Sequence, residues 1–146
     1  QIRMCHHHWR YQIPVALLLL LAQLQHLLHN YLVIYNMRIY DLKPGKLQEY
    51  MSAMREVAVP LRREYGVPLA GWFYTEIGSI NRIYHIWAYK DLEHYEQKKQ
   101  EVYTDPRWVN EYIPRVLPLI ESQYDQMVKS ADFWNGFSED TAFESD

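Results

Sequence analysis

The stretch Asn81-Arg82-Ile83-Tyr84-His85-Ile86-Trp87-Ala88-Tyr89 constrains this chain more than any other. Its β-branched and aromatic content makes it a strand. Alternation puts Ile83, His85, Trp87 and Tyr89 on one face and Tyr84, Ile86 and Ala88 on the other. Neither set suits water, so the strand needs cover on both sides, as a central strand of a covered sheet does. His85 is the polar side chain in its interior, and a buried polar group requires a partner.

The elements around it follow in order. Val33 to Tyr40 reads as a first strand, closed by the turn residues Lys43-Pro44-Gly45. Lys46 to Tyr65 carries an apolar stripe at three- and four-residue steps (Leu47, Tyr50, Met51, Met54, Val57, Leu61, Tyr65) and predicts a helix. Arg62 and Arg63 suit its C-terminus, Gly66 suits the residue just past it, and Pro60 predicts a kink or break over 56–60. Leu69 to Glu76 is a second strand that forms a hairpin with the third. Asp91 caps a second helix over about Leu92 to Tyr103, and Asp105-Pro106 starts a short one that Pro114 and Pro118 keep from running on. Glu121 to Val128 is polar enough for an edge strand.

The order β-α-β-β-α-β is the ferredoxin-like pattern, an α+β fold with an antiparallel sheet and its helices on one face. The first and third strands are central neighbours in it. Two helices leave one face of the sheet open, yet the third strand is apolar on both faces. A second copy of the chain, packed sheet to sheet in a closed two-fold homodimer, resolves that conflict.

Composition bounds the function. A chain of 146 residues supports one domain, read here as residues 31–132. A net charge of −3 gives no electrostatic basis for binding nucleic acid. The single cysteine, Cys5, excludes an internal disulfide, fits the cytoplasm, and leaves no zinc-ligand spacing, so no metal site is expected. Residues 1–30 differ from the rest: Arg3 and Arg10 precede the run Val15-Ala16-Leu17-Leu18-Leu19-Leu20-Leu21-Ala22, with no acidic residue before Asp41. That run has the length of a signal-peptide core and is too short to span a bilayer. The segment reads as an extension outside the fold, with a mitochondrial or exported location as the alternative. His6-His7-His8 lie in it without further ligands of metal-site spacing. Residues 133–146 read as a disordered acidic tail.

Several separated segments resemble the NIPSNAP family. They are Val33-Ile34-Tyr35-Asn36-Met37-Arg38-Ile39-Tyr40-Asp41-Leu42-Lys43-Pro44-Gly45-Lys46, Thr75-Glu76-Ile77-Gly78, Tyr84-His85-Ile86-Trp87-Ala88-Tyr89 with Asp91-Leu92, Asp105-Pro106-Arg107-Trp108, and the late Ser122-Gln123. The resemblance covers about residues 33–130 in the right order. It implies a dimeric α+β barrel, and it supplies neither a catalytic motif nor a cofactor.

The neighbouring first and third strands place Arg38 and Tyr40 beside His85, Trp87 and Tyr89. With Asn36 and Trp72 they make a candidate ligand pocket. Arg38 would pair an anion, the aromatics would stack, and His85 titrates near neutral pH. The competing reading gives Arg38 a carboxylate, Glu76 or Asp125, and gives His85 a backbone partner. Haem-degrading monooxygenases of related fold place an Asn, a Trp and a His around their pocket, and Asn36, Trp87 and His94 lie on the comparable elements. Two functions follow from these readings. One is a small-molecule-binding or interaction module with no cofactor; the other is a cofactor-independent or haem-degrading monooxygenase-like enzyme using the same pocket.

Overall fold

The computed structural model describes residues 14–134 and 136. Helix α1 (Val15–Leu32) leads into strand β1 (Ile34–Leu42). A continuous helix α2, residues 47–64, follows, then β2 (Leu69–Tyr74), β3 (Arg82–Tyr89), α3 (Leu92–Thr104), α4 (residues 108–116), a single 3-10 turn and β4 (Ile120–Lys129). The strands form one antiparallel sheet in the order β2-β3-β1-β4, so β3 and β1 are central and β4 is an edge. This is the ferredoxin-like α+β arrangement expected from the sequence.

The main core lies between the sheet and α2, α3 and α4. Ile83, Trp87 and Tyr89 of β3 and Ile34, Tyr40 and Leu42 of β1 meet Tyr50, Leu61, Val102, Trp108 and Tyr112 there. The opposite face of the sheet carries a smaller apolar cluster of Val33, Tyr35, Ile86 and Ala88, flanked by Met37, Ala70 and Val128. On the edge strands Phe73 is 54% exposed and Tyr124 59% exposed. Their registers with Tyr84 and Ile39 place both on that same face.

The caps behave as the sequence indicates. The Asp91 carboxylate accepts from the His94 amide at 2.7 Å at the start of α3. Gly66 adopts φ +70 just past α2, and the Gly66 and Val67 amides bond back to the Arg63 and Arg62 carbonyls. That is the paired-bond helix stop in which glycine meets no Cβ penalty. Asp105 accepts from the Arg107 amide at 2.8 Å and from Tyr65 Oη at 3.0 Å, joining the end of α3 to the end of α2. Hydrogen bonds from the Arg107 guanidinium, with those from its amide and Tyr65, hold the Asp105 carboxyl down at about 2.

The kink or break expected over 56–60 takes the form of a π turn rather than a helix end, and Pro114 does not stop its helix. Met54–Ala58 and Trp108–Tyr112 are π-helical turns, and each ends just before an X-Pro pair, Val59-Pro60 and Ile113-Pro114. The Val59 and Ile113 amides bond to the Met54 and Trp108 carbonyls, five residues back. Proline clashes with the carbonyl four residues earlier in an α-helix, and widening the turn relieves that contact without ending the helix. The chain therefore runs helical through Pro60 and through Pro114, and only the 3-10 turn at Leu117–Leu119 closes α4.

The N-terminal segment is helical over Val15–Leu32, where the sequence indicated only an extension. Leu17 to Leu21 and Leu24 are exposed, because no element of the main core covers them. No helix among the described residues is long and apolar enough to cross a membrane. The His6-His7-His8 run and tail residues 137–146 lie outside the described residues. A chain lacking residues 1–30 is expected to keep its unfolding midpoint, read by thermal denaturation; a collapse of the cooperative transition would make that segment part of the fold.

Candidate functional site

Register builds the site first. Arg38 pairs across the strand with His85, and Asn36 with Trp87, so all four share the helix-covered face. Helix α2 adds Met54, Ala58 and Arg62 at four-residue steps. The end of α3 adds Tyr103, and α4 adds Trp108, Tyr112, Ile113 and Val116. Apart from Asn36, these side chains, with Tyr40, Leu117, Ile120 and Gln123, line a partly open cavity of about 260 Å³ between sheet and helices.

Two arginines dominate its chemistry. Arg62 is 3% exposed, and its Nη1 donates to Tyr89 Oη at 3.0 Å. Its guanidinium lies 4.5 Å from the ring centre of Trp87 and 5.1 Å from that of Trp108. Such cation–π contacts offset part of the desolvation of a buried cation. Among the described residues, no carboxylate forms an ion pair with Arg62. Arg38 donates through Nη1 to Tyr103 Oη at 2.8 Å, while its Nε lies 3.6 Å from Asp125 Oδ2, too far for a hydrogen bond. That Nε is buried without a hydrogen-bond partner.

His85 is almost fully buried, and its Nδ1 accepts from Trp87 Nε1 at 2.8 Å. Nδ1 therefore carries no proton, and the neutral ring holds its proton on Nε2. Nε2 has no partner. Burial, reinforced by Arg38 and Arg62, holds the imidazole well below its ordinary range, so it stays neutral at pH 7. Burial pushes the Tyr103 phenol up, but Arg38 and Arg62 together outweigh it and leave the phenol more acidic than usual. The same burial raises the phenols of Tyr40, Tyr50 and Tyr112.

Of the residues proposed from sequence, Arg38, Tyr40, His85 and Trp87 line the cavity. Asn36 does not, because its side-chain amide donates to Asp125. Tyr89 holds Arg62 from behind. Trp72 faces His85 in register but stops short of the cavity, with its Nε1 buried and unpartnered. His94 also stays outside, its Nδ1 accepting from the Lys90 amide at 3.3 Å. The Asn36, Trp87 and His94 grouping is therefore not assembled around one space. Arg62, Tyr103 and Trp108 are among the contributors that the sequence does not place here. The only hint was the four-residue spacing from Met54 through Ala58 to Arg62, which is easily taken for a helix-end charge.

A four-stranded antiparallel sheet in the order β2-β3-β1-β4, with its helices over an arginine- and aromatic-lined cavity, defines a ferredoxin-like α+β protein. The model of the NIPSNAP family matches residues 35–134. The chain belongs to the NIPSNAP family. It is 29% identical over 100 residues to Protein NipSnap of Drosophila melanogaster, an alignment covering 68% of this chain and 36% of that protein. The chain thus spans about a third of the length of the curated relatives it matches. A NIPSNAP family protein of unknown function from Agrobacterium tumefaciens superposes with a TM-score of 0.67 at 31% identity, covering 73% of this chain and 95% of that one. A protein from Nitrosomonas europaea, provisionally classed as an antibiotic biosynthesis monooxygenase, shares the fold at 13% identity and a TM-score of 0.55, over 68% of this chain and 90% of that one.

Proposed function

We propose that this NIPSNAP domain is a small-molecule-binding module that works as a homodimer. The observation that carries the reading is the cavity between sheet and helices lined by Arg38, Arg62, His85 and Tyr103, in which Arg62 is buried without an ion-pair partner among the described residues. A guanidinium buried without a counter-charge is costly, so a ligand that supplies acceptors to it gains on binding. The cavity belongs to one chain, while Phe73 and Tyr124, exposed on the opposite sheet face beside an already buried cluster, support pairing with a second copy. The single cysteine supports a reducing compartment such as the cytoplasm. The haem-degrading reading gains no support from the geometry, since Asn36 and His94 do not reach the cavity.

Native mass spectrometry of protein purified without denaturation is expected to show a mass above that of the bare dimer, with the excess released as a small molecule on unfolding. Light scattering is expected to give twice the chain mass at micromolar concentration. A monomer throughout removes the dimer from the reading, and a bare mass under all growth conditions removes the ligand.

A further inference from the structure

The cavity has two chemically different ends. Arg38, Arg62, His85 and Tyr103 gather at one. At the other, Leu117 and Ile120 close the space, and Ile120 pairs with Leu42, four residues along β1 from Arg38. At about 3.3 Å per residue, that separates the two ends by roughly 13 Å. The cationic end holds two arginines against one carboxylate, Asp125, which Asn36 also engages. The balance of these three groups is one positive charge, and neutral His85 adds an N–H donor without adding charge.

We infer that the cavity takes an apolar monocarboxylate, with its anion at the Arg38 and Arg62 end and its hydrocarbon body directed toward Leu117 and Ile120. This rests on the ligand-binding reading above and names the ligand class. A single carboxylate matches the single excess charge, and a guanidinium donates charge-assisted hydrogen bonds to it. A dianion would carry one charge more than the site offsets. A neutral ligand would leave Arg62 buried without a counter-charge. The small volume limits the body to one or two rings or a short acyl chain.

Titration calorimetry of the full chain with 2-naphthoate and octanoate, each beside its primary amide, tests the inference. At least one acid is expected to bind, and to bind tenfold or more tightly than its amide. Arg62→Gln should bring acid and amide to similar affinity, and Arg62→Lys should restore part of the preference. The acid–amide comparison on the unaltered chain decides the matter even if an Arg62 variant fails to fold. Amides that bind as well as the acids would overturn the charge selectivity while leaving the ligand-binding reading intact. No binding by any of the four would overturn both.

Discussion

Trp87→Ala is expected to lower the folding free energy by about 3–5 kcal/mol, measured by urea unfolding. Trp87 is 1% exposed at the centre of the sheet, and its loss would open a cavity that its neighbours on β1 and α2 cannot fill. The indole also does two polar tasks. It donates to His85 Nδ1 and presents the ring closest to the Arg62 guanidinium. Trp87→Phe separates these contributions, since it keeps much of the volume and the ring face but removes the N–H. Its expected cost is about 1–2 kcal/mol, near that of one unmet buried hydrogen bond. A change near zero for Trp87→Ala would place the side chain on an open surface and contradict the core described above.

His85 gives the second large effect, visible only as pH changes. Its folded-state pKa lies below the unfolded value of about 6.5, because burial and the charges of Arg38 and Arg62 disfavour the imidazolium. As pH falls, the unfolded chain takes up this proton first. The contribution of His85 to stability is thus complete above about pH 6.5 and declines below it, by up to about 1.4 kcal/mol per pH unit, until the folded ring also protonates. His85→Gln keeps an acceptor for Trp87 and removes the titration. The stability difference between the wild type and this variant is expected to shift against the wild type between about pH 6.5 and about pH 5. Other histidines, His94 among them, titrate alike in both proteins and drop out of the difference. Parallel stability curves over that interval would show that His85 is not held neutral by its surroundings.

Strand-level features were legible in the sequence because a period of two leaves little freedom. Once β1 and β3 are neighbours, placing Ile83, His85, Trp87 and Tyr89 on one face limits the residues of β1 they can meet to one face of that strand, and the observed register selects among them. Arg38 falls opposite His85 and Asn36 opposite Trp87. Parity alone could not show that Asp125, arriving on β4, would take up the Asn36 amide. Nor could it show which of two adjacent arginines turns inward. Arg62 and Arg63 both suit the last turn of a helix, but the π turn beginning at Met54 changes the phase of everything after it. Tyr103 and Trp108 were out of reach for another reason. Their 4.9 Å stacking depends on how α3 and α4 are joined through Asp105, a tertiary arrangement with no local periodic signature.

The two π turns have a consequence for how this domain can vary. A π turn is what remains when one extra residue is absorbed into a helix without unfolding it, and one residue corresponds to a rotation of about 100°. In α2 the turn over Met54–Ala58 separates a first half that buries Tyr50 and Ala53 from a second that delivers Arg62 to the cavity. The two halves are phased independently, like two wheels on a slipping axle. Removing one residue between positions 54 and 58 would leave Tyr50 in the core and swing Arg62 away from Trp87. Relatives with a residue fewer at this point would keep the scaffold and present a different side chain to the ligand, so selectivity can change by insertion and deletion as well as by substitution.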